Sequence, residues 1–293
     1  MKFAFIKSTL AADYTVSDCC RVLEVSQSGY YRYVKHPESK REQRREKMTE
    51  VIRHEYNENR RIYGSHKVFI ELKKRGVAIC ENTIAKLMSH AGIRSIRVGK
   101  FKVKTTDSNH DLAVADNILD RQFEVDKPNT VWVGDITYIH TLEGTLYLAG
   151  VMDLFSRRVV GYSMAEHMRA ELVCDAMKMA LTQRSFPEGL LFHSDRGSQY
   201  ASNEFAALLN VNAAVASMSN VGECYDNAVI ESFWSNLKKE LVFHHKFKTL
   251  QEAREAIFEY IEVFYNRKRI HTTLGDKSPE EFEASFVLDK VSS

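Results

Sequence analysis

Short apolar segments that carry acidic residues restrict most strongly how the second half of this chain can fold. The run VWVGDITYI (131–139) contains Asp135, and the run LLFHSD (190–195) ends on Asp195. Both runs have the length and apolar character of buried strands, in which aspartate is unfavourable. Because an unpaired buried carboxylate is costly, each aspartate needs a partner that compensates its charge. A divalent metal shared by several carboxylates is one such partner, and it also catalyses phosphodiester chemistry.

A third acidic residue lies on a predicted helix. Glu231 belongs to DNAVIESFWSNLKKE (226–240), where Ile230, Phe233 and Leu237 form an apolar stripe. An adjacent face of the same helix carries Asn227, Glu231, Ser235 and Lys238. Three carboxylates at close range repel one another unless cations lie between them. Oxygen ligands, with no Cys or His at ligand spacing, favour two Mg²⁺ or Mn²⁺ ions over zinc.

The order of predicted elements indicates an α/β domain. From residue 126, three closely spaced strand-like runs predict an antiparallel meander. Helices and short apolar strands then alternate: a helix over 171–185, the strand ending at Asp195, and a strand over 213–217. This pattern predicts a ribonuclease H-like core, with a mixed five-stranded sheet and helices on both faces.

The front of the chain predicts helices. Residues 16–34 form two short helical segments, and Ser26 or Ser28 can cap the second. Such a pair is typical of helix–turn–helix DNA readers, and equally of helical hairpins that do not touch DNA. Residues 37–58 predict a highly charged helix whose front is polar all round, which suits a connector.

A second helical module is predicted over 59–93. Gly76 can end its first helix, and its second helix, over 81–92, turns an apolar face inward. The outward residues are candidates for contacts with a DNA groove or phosphates, an ordinary polar surface being the alternative: Asn82, Thr83 and Lys86. A basic arm follows, in which the positive residues alternate with apolar ones and include Arg97, Lys100 and Lys102.

Charge is distributed unevenly along the 293 residues, although the net charge is only +2. Residues 1–104 carry 23 Lys and Arg against 11 Asp and Glu, whereas the remainder carries 18 against 28. A basic front half indicates a surface for a polyanion such as DNA, and solvated helix faces are the alternative. No apolar run is long enough to span a membrane. Five cysteines without a CxxC pair argue against a zinc site or a disulfide framework.

Spacing and four sequence motifs carry a family resemblance. Thirty-five residues separate Asp195 from Glu231, and the two aspartates lie 60 positions apart. A strand Asp, a second strand Asp and a helical Glu at this spacing resemble the DDE catalytic core of retroviral integrases and bacterial transposases. The motifs resemble the OrfB transposases of bacterial insertion-sequence family three: LYLAGVMDLFSRRVVGYS (146–163), HSDRGSQYAS (193–202), SMSNVGECYDNAVIESFW (217–234) and YNRKRIHTTLGDKSPEEF (265–282).

The resemblance implies a DNA transposase that cleaves the ends of an insertion sequence with the help of metal and then transfers the strand. Asp135, Asp195 and Glu231 would be its catalytic and metal-binding residues, with Asp135 on both ions and the others on one each. Lys238 resembles the family's DNA-contacting basic residue, and a surface lysine is the alternative. The implied partners are terminal inverted repeats, target DNA, further copies of the chain on DNA, and an upstream-frame DNA-binding protein or a fusion with it.

Other residues of the motifs have supporting or structural interpretations. Asp226 and Asn227 are predicted to cap the Glu231 helix. His193 either supports Asp195 or is a packed core histidine. Asp153 is interpreted as structural. No role is predicted for the C-terminal motif residues Tyr265, Asn266, Arg269 and His271. Weaker DNA contact is expected where related transposases often carry basic residues and this chain has Asn220 and Val221.

The predicted organisation follows from these segments. It comprises a helix–turn–helix-like module (1–35), a charged connector helix (36–58), a second DNA-binding module with its basic arm (59–104), a linker (105–125), the catalytic core (126–283) and a tail (284–293). Two alternatives stay open: a nuclease of the same fold without strand transfer, and a DNA-binding regulator with an inactive core. The N-terminal apolar run is too short for a secretory signal, so a cytoplasmic, nucleoid-associated protein is expected.

Overall fold

A computed structural model describes residues 2–35, 40–96, 114–220 and 224–291, in two compact units, Met1–Ser95 and Ile96–Ser293. The predicted basic-arm residues Arg97, Lys100 and Lys102 lie outside the described residues, as do Val221 and the first part of the predicted linker.

The described part of the first unit is helical. Ile6, Cys19, Cys20 and Tyr30 form a small buried core. The Ser26 hydroxyl accepts a hydrogen bond from the Gly29 backbone N–H at 3.1 Å, so Ser26 rather than Ser28 caps the helix that follows. The elements are α1 (Lys2–Phe5), a π-helical turn (Ile6–Leu10), α2 (Val16–Val22), α3 (Gln27–Lys35), α4 (Lys40–Glu58), α5 (Ser65–Lys74) and α6 (Glu81–His90).

Helix α4 changes character along its length. Its front is polar, but further along it packs against α5 and α6, where Ile52 and Glu55 are buried. The Glu55 carboxylate accepts hydrogen bonds from Asn59 Nδ2 at 2.9 Å and Arg75 Nη2 at 3.2 Å, which compensates for its burial. The second half of α4 is therefore part of a helical core, whereas the sequence predicts a connector helix over the whole of 36–58.

The second unit is built on one sheet with strand order β3-β2-β1-β4-β5. The first three strands pair antiparallel, whereas β4 pairs parallel with β1 and β5 parallel with β4. The predicted mixed five-stranded, ribonuclease H-like core is thus confirmed. The last helix crosses the predicted boundary between core and tail at 283. The elements are β1 (Val131–His140), β2 (Thr145–Asp153), β3 (Val159–Ala165), α7 (Ala170–Gln183), β4 (Leu191–Ser194), α8 (Asn203–Val211), β5 (Val215–Met218), α9 (Ala228–Glu240), α10 (Leu250–Phe258), a π-helical segment (Glu259–Tyr265) and α11 (Pro279–Val291).

Two glycines show that helices cover both faces of the sheet. A Cβ on Gly161 would lie 2.6 Å from the Ala180 backbone nitrogen in α7, and a Cβ on Gly150 would lie 2.7 Å from Trp234 Cη2 in α9. Gly161 pairs with Val151, the residue next to Gly150 on β2. Because consecutive strand residues point to opposite faces, α7 and α9 lie on opposite sides. The predicted placement of helices on both faces is confirmed.

Apolar side chains of the sheet and of α7 and α8 form the main core, so β1 and β4 lie at its centre. Its buried members include Trp132, Val151, Val160, Leu172, Met177, Phe192 and Phe205. Among the described residues, no helix is both long enough and apolar enough to cross a membrane.

Gly161→Ala tests the contact between α7 and the sheet. The added methyl group would overlap the Ala176 carbonyl oxygen and the Ala180 backbone, neither of which is a flexible side-chain end. We expect a loss of about 1–3 kcal/mol in the free energy of unfolding, measured by denaturant titration. Gly144→Ala is the matched control, since a Cβ there meets nothing within 4 Å. Equal stability of the two variants would contradict this close packing.

Candidate active site

Parallel pairing of β1 with β4 places the two aspartates side by side. The last paired residues of the two strands are Gly134 and Ser194, so Asp135 and Asp195 are the next residue on each strand. Neighbouring strands run about 4.8 Å apart, and residues at matching positions face the same side of the sheet. Asp135 lies in the middle of β1 and Asp195 directly after β4, so the point where this parallel pairing ends brings the two carboxylates together.

Asp135 is half-buried, and both of its carboxylate oxygens accept hydrogen bonds. Oδ1 accepts one from the Ile136 backbone N–H at 2.8 Å, and Oδ2 accepts one from the Trp234 indole Nε1–H at 3.0 Å. Burial raises the pKa of Asp135 well above its usual value, and repulsion from Asp195 and then from Glu231 raises it further. The two hydrogen bonds oppose this shift. Asp135 is thus a carboxylate whose pKa responds to both of the other acidic residues.

Glu231 lies in the first turn of α9, which packs against β1. It is the most solvent-exposed of the three acidic residues. Partial desolvation raises the pKa of Glu231, followed by repulsion from Asp195. The structure therefore brings Asp135, Asp195 and Glu231, which lie far apart in the sequence, into one electrostatic cluster.

The donor set of this cluster suits a hard divalent cation. The three side chains offer only carboxylate oxygens, and the pKa values of Asp135 and Glu231 are raised by burial first and then by neighbouring negative charge. A cation between them would relieve that repulsion. Within the described ranges, no three or more His, Cys, Asp or Glu side chains lie close enough together to form a group that could hold a metal ion. The carboxylates are thus within electrostatic reach of one another without forming a finished coordination sphere.

Lys238 lies at the edge of this cluster, half-buried rather than on an open surface. Its Nζ is 4.9 Å from the centre of the Tyr138 ring, a distance typical of a cation–π contact. Burial lowers the pKa of Lys238, and the negative charge of Asp135 opposes that shift. Lys238 therefore adds positive charge beside Asp135.

The sequence predicts that His193 either supports Asp195 or is a packed core histidine, and its contacts agree with the packed core histidine. It is buried in β4 and hydrogen-bonds through Nδ1 to the Ser217 hydroxyl at 2.9 Å and through Nε2 to the Ser219 hydroxyl at 3.2 Å. Burial lowers the pKa of His193 to about 4. The neutral imidazole therefore links β4 to Ser217 in β5 and to Ser219, just after β5.

The predicted capping of α9 by side chains is wrong. Asn227 occupies the N-cap position, but its side chain accepts no hydrogen bond from the helix, and Nδ2 instead donates to the Gly134 carbonyl of β1 at 3.4 Å. The Asp226 carboxylate accepts from Arg121 Nε at 2.8 Å and from the Asn220 backbone N–H at 3.0 Å. Both residues fix the start of α9 through contacts outside the helix.

The C-terminal motif holds the other end of α9. Arg269 donates to both carboxylate oxygens of Glu240, the last residue of α9, with a shortest distance of 2.7 Å. The Tyr260 hydroxyl donates to the same carboxylate at 2.7 Å. Tyr265 packs edge-to-face on Phe233, with the ring centres 4.6 Å apart. The motif therefore orients the helix that carries Glu231 and Lys238.

The remaining motif residues are structural. Asn266 pairs with both backbone groups of Val159 in β3, at 3.0 and 2.9 Å. Asp153 is buried and accepts from the backbone N–H groups of Asn129 at 2.7 Å and Phe155 at 2.9 Å. Burial raises the pKa of Asp153 to about 6. The structural interpretation of Asp153 agrees with these contacts.

Helix α6 presents the outward face that its periodicity predicts. Asn82, Thr83 and Lys86 are exposed, whereas Ile84, Leu87 and Met88 are buried.

Sequence reasoning did not identify Trp234 as part of the site. The residue was assigned to no face of its helix, yet its indole N–H contacts Asp135 directly. A signal was present in Gly150, the residue that pairs with Asp135 across β1 and β2 and leaves space for the ring. That signal requires the strand register, which the sequence does not supply.

Comparison with known families gives matches along most of the chain. Families described as Integrase core domain match residues 125–224 and 231–286. A family described as HTH-like domain matches residues 42–101, and one described as Transposase matches residues 1–63. The HTH-like match thus covers the module of α4 to α6 rather than the pair of helices over 16–34.

Curated relatives extend the likeness to nearly the full length. The chain is 42% identical to an uncharacterised 31 kDa protein of insertion element IS600 from Shigella sonnei, covering 91% of this chain and 98% of that one. It is 39% identical to the transposase InsF for insertion sequence IS3A from Escherichia coli K12, covering 97% and 98%.

Solved structures with a similar chain include the HTLV-2 integrase catalytic core domain in complex with magnesium, with 17% identity and a TM-score of 0.40 over 54% of this chain and 97% of that one. The likeness to the InsF transposase favours transposition over a nuclease without strand transfer and over an inactive regulator. This chain belongs to the family of the IS3 transposases and is a DNA transposase of the DDE type.

Proposed function

We propose that Asp135, Asp195 and Glu231 are the catalytic residues of this transposase and hold its divalent metal. The observation that carries the proposal is the position of the two aspartates one residue beyond the last pair of the parallel β1–β4 pairing, within electrostatic reach of Glu231. Mg²⁺ or Mn²⁺ suits this set of oxygen donors, and two ions could share the three carboxylates. Asp135 would contact both ions, and Asp195 and Glu231 one each.

The reaction divides into two phosphodiester exchanges. In the first, a water oxygen bonds to phosphorus at the end of the element, the bond from phosphorus to the 3′-oxygen breaks, and that oxygen leaves as a 3′-hydroxyl. In the second, the freed 3′-hydroxyl attacks another phosphodiester and a second 3′-oxygen leaves. When bound, the metal lowers the pKa of the attacking hydroxyl and stabilises charge on the leaving oxygen. The chain itself holds the carboxylates in place through β1, the end of β4 and α9.

Charge-neutral replacement of the carboxylates tests this assignment. Asp135→Asn, Asp195→Asn and Glu231→Gln should each abolish metal-dependent cleavage of a terminal-repeat duplex and leave duplex binding close to wild type, because each side chain is proposed to hold metal rather than bases. Cleavage is measured on labelled duplex and binding by gel shift in the same buffer. Cleavage at the wild-type rate by any one variant would remove that residue from the proposed set.

The exposed face of α6 is proposed to contact DNA through Asn82, Thr83 and Lys86. Its support is the exposure of all three side chains and the basic composition of residues 1–104. Arg97, Lys100 and Lys102, which lie outside the described residues, would extend this contact along the DNA backbone.

Lys86→Ala should weaken binding of the full-length protein to the terminal repeat. If Lys86 neutralises one phosphate, the slope of log K against log salt becomes smaller by about 0.9. The slope comes from fluorescence anisotropy at several salt concentrations. Lys178→Ala is the control, because this exposed lysine lies on α7, on the sheet face opposite α9. A slope unchanged from wild type would show that Lys86 neutralises no phosphate and is an ordinary solvated residue.

Lys238 is proposed to hold the DNA end beside the carboxylates. The lysine is half-buried against Tyr138 and interacts electrostatically with Asp135, so its charge is close to the proposed reaction site. This position suits a phosphate next to the scissile bond.

Lys238→Gln should lower both crosslinking of the DNA end and cleavage, and leave overall duplex affinity close to wild type, because most contacts lie elsewhere. Crosslinking is measured with a photoreactive group next to the cleavage site. Lys239→Gln, one residue along the same helix, is the matched control. Unchanged crosslinking in Lys238→Gln would show that Lys238 does not hold the DNA end.

The partners follow from the same chemistry. We propose that the protein binds terminal inverted repeats and target DNA, assembles as several copies on DNA, and acts with an upstream-frame DNA-binding protein or as a fusion with it. Because its proposed substrate is DNA, we propose that it acts in the bacterial cytoplasm, at the nucleoid. Mass measurement of the protein on a paired-end duplex tests the assembly, and one copy per DNA end pair would contradict it.

A further inference from the structure

The indole of Trp234 joins the helix of Glu231 to the carboxylate of Asp135. Trp234 follows Glu231 by three residues on α9, is only 5% exposed, and donates from Nε1 to Asp135 Oδ2 at 3.0 Å. Asp135 Oδ1 accepts from the Ile136 backbone N–H at 2.8 Å. One hydrogen bond on each oxygen fixes the plane of the carboxylate, and each oxygen keeps lone-pair capacity for another partner.

The sheet leaves space for the indole at this point. Gly150 is the antiparallel partner of Asp135, so the two residues face the same side of the sheet. A Cβ on Gly150 would lie 2.7 Å from Trp234 Cη2 and 3.1 Å from Cζ2. Any larger residue would therefore displace the ring from its position beside Asp135. The glycine, the indole and the aspartate form one geometric unit.

Trp132 provides the contrast within the same chain. It lies on β1 three residues before Asp135 and is completely buried, but among the described residues no acceptor lies within hydrogen-bond reach of its Nε1. The chain thus holds two buried indoles, of which Trp234 donates to an acidic residue of the site.

We propose that Trp234 is a positioning residue, which orients the Asp135 carboxylate for a divalent cation. The inference rests on the proposed function, because it takes Asp135 as a metal ligand. An outer partner that hydrogen-bonds a ligating carboxylate sets its orientation and so its affinity for metal. The same bond couples Asp135 to α9, so the carboxylates of β1 and α9 are held in a fixed relation.

Binding of Mn²⁺ to the full-length protein, measured as loss of the free-ion paramagnetic resonance signal, tests the proposal without turnover. Trp234→Phe keeps an aromatic ring but removes the donor, and should weaken Mn²⁺ binding by about 10-fold or more. Trp132→Phe is the matched control and should keep wild-type affinity. Cleavage by Trp234→Phe should recover as Mn²⁺ is raised, whereas cleavage by Asp135→Asn should not.

The outcomes separate the two claims. Wild-type Mn²⁺ affinity in Trp234→Phe, together with lost binding in Asp135→Asn, would overturn the role of Trp234 and leave the proposed function standing. Wild-type affinity in Asp135→Asn would overturn both.

A second measurement serves if Trp234→Phe does not fold. The chain has two tryptophans, so Trp132→Phe leaves Trp234 as the only tryptophan emitter. Mn²⁺ should quench that emission in step with its binding, and absence of quenching would overturn the proposal.

Discussion

Mutual repulsion among three carboxylates is the constraint that the rest of the second unit must overcome. Asp135 and Asp195 are adjacent because β1 and β4 are parallel and their pairing ends at the same level. Glu231 joins them through the packing of α9 on β1. Such an arrangement costs folding free energy when the charges are uncompensated. The fold keeps the three side chains together nonetheless, which supports the proposal that they form a site for chemistry.

Much of the second unit serves to hold α9 in place. Its start is fixed by Asp226 and Asn227, through contacts with neighbouring segments rather than by helix capping. Its end is fixed by the pair of Arg269 and Glu240, which is almost completely buried. A buried ion pair adds little net stability, but it has strict geometry. The C-terminal motif, remote in sequence from the acidic residues, therefore contributes to the site through orientation.

The sequence predicts those features that depend on local pattern. Apolar runs and turn spacing are sufficient for the meander of β1 to β3, and helical periodicity is sufficient for the inward and outward faces of α6. The assignment of Asp135, Asp195 and Glu231 as site residues rests on their segments and spacing and stays a prediction. The helix–turn–helix-like match over residues 42–101 agrees with the second module that periodicity predicted.

Features that depend on register could not be predicted. The contact of Trp234 with Asp135 requires the pairing of Asp135 with Gly150, and a shift of one residue would reverse the faces. The capping prediction for Asn227 failed because a nearby strand carbonyl became the partner of its side chain. The half-burial of Lys238 likewise depends on Tyr138, a residue far away in the sequence. Tertiary contacts overrode local preference in each case.

Anomalous diffraction from crystals grown with Mn²⁺ tests the central claim, that the three carboxylates form one metal site, most directly. The account predicts an anomalous peak in contact with carboxylate oxygens of Asp135 and Asp195, with Glu231 completing the site, and with the Trp234 indole still bonded to Asp135. Mn²⁺ bound only at other residues, or no peak between these carboxylates at saturating Mn²⁺, would contradict it.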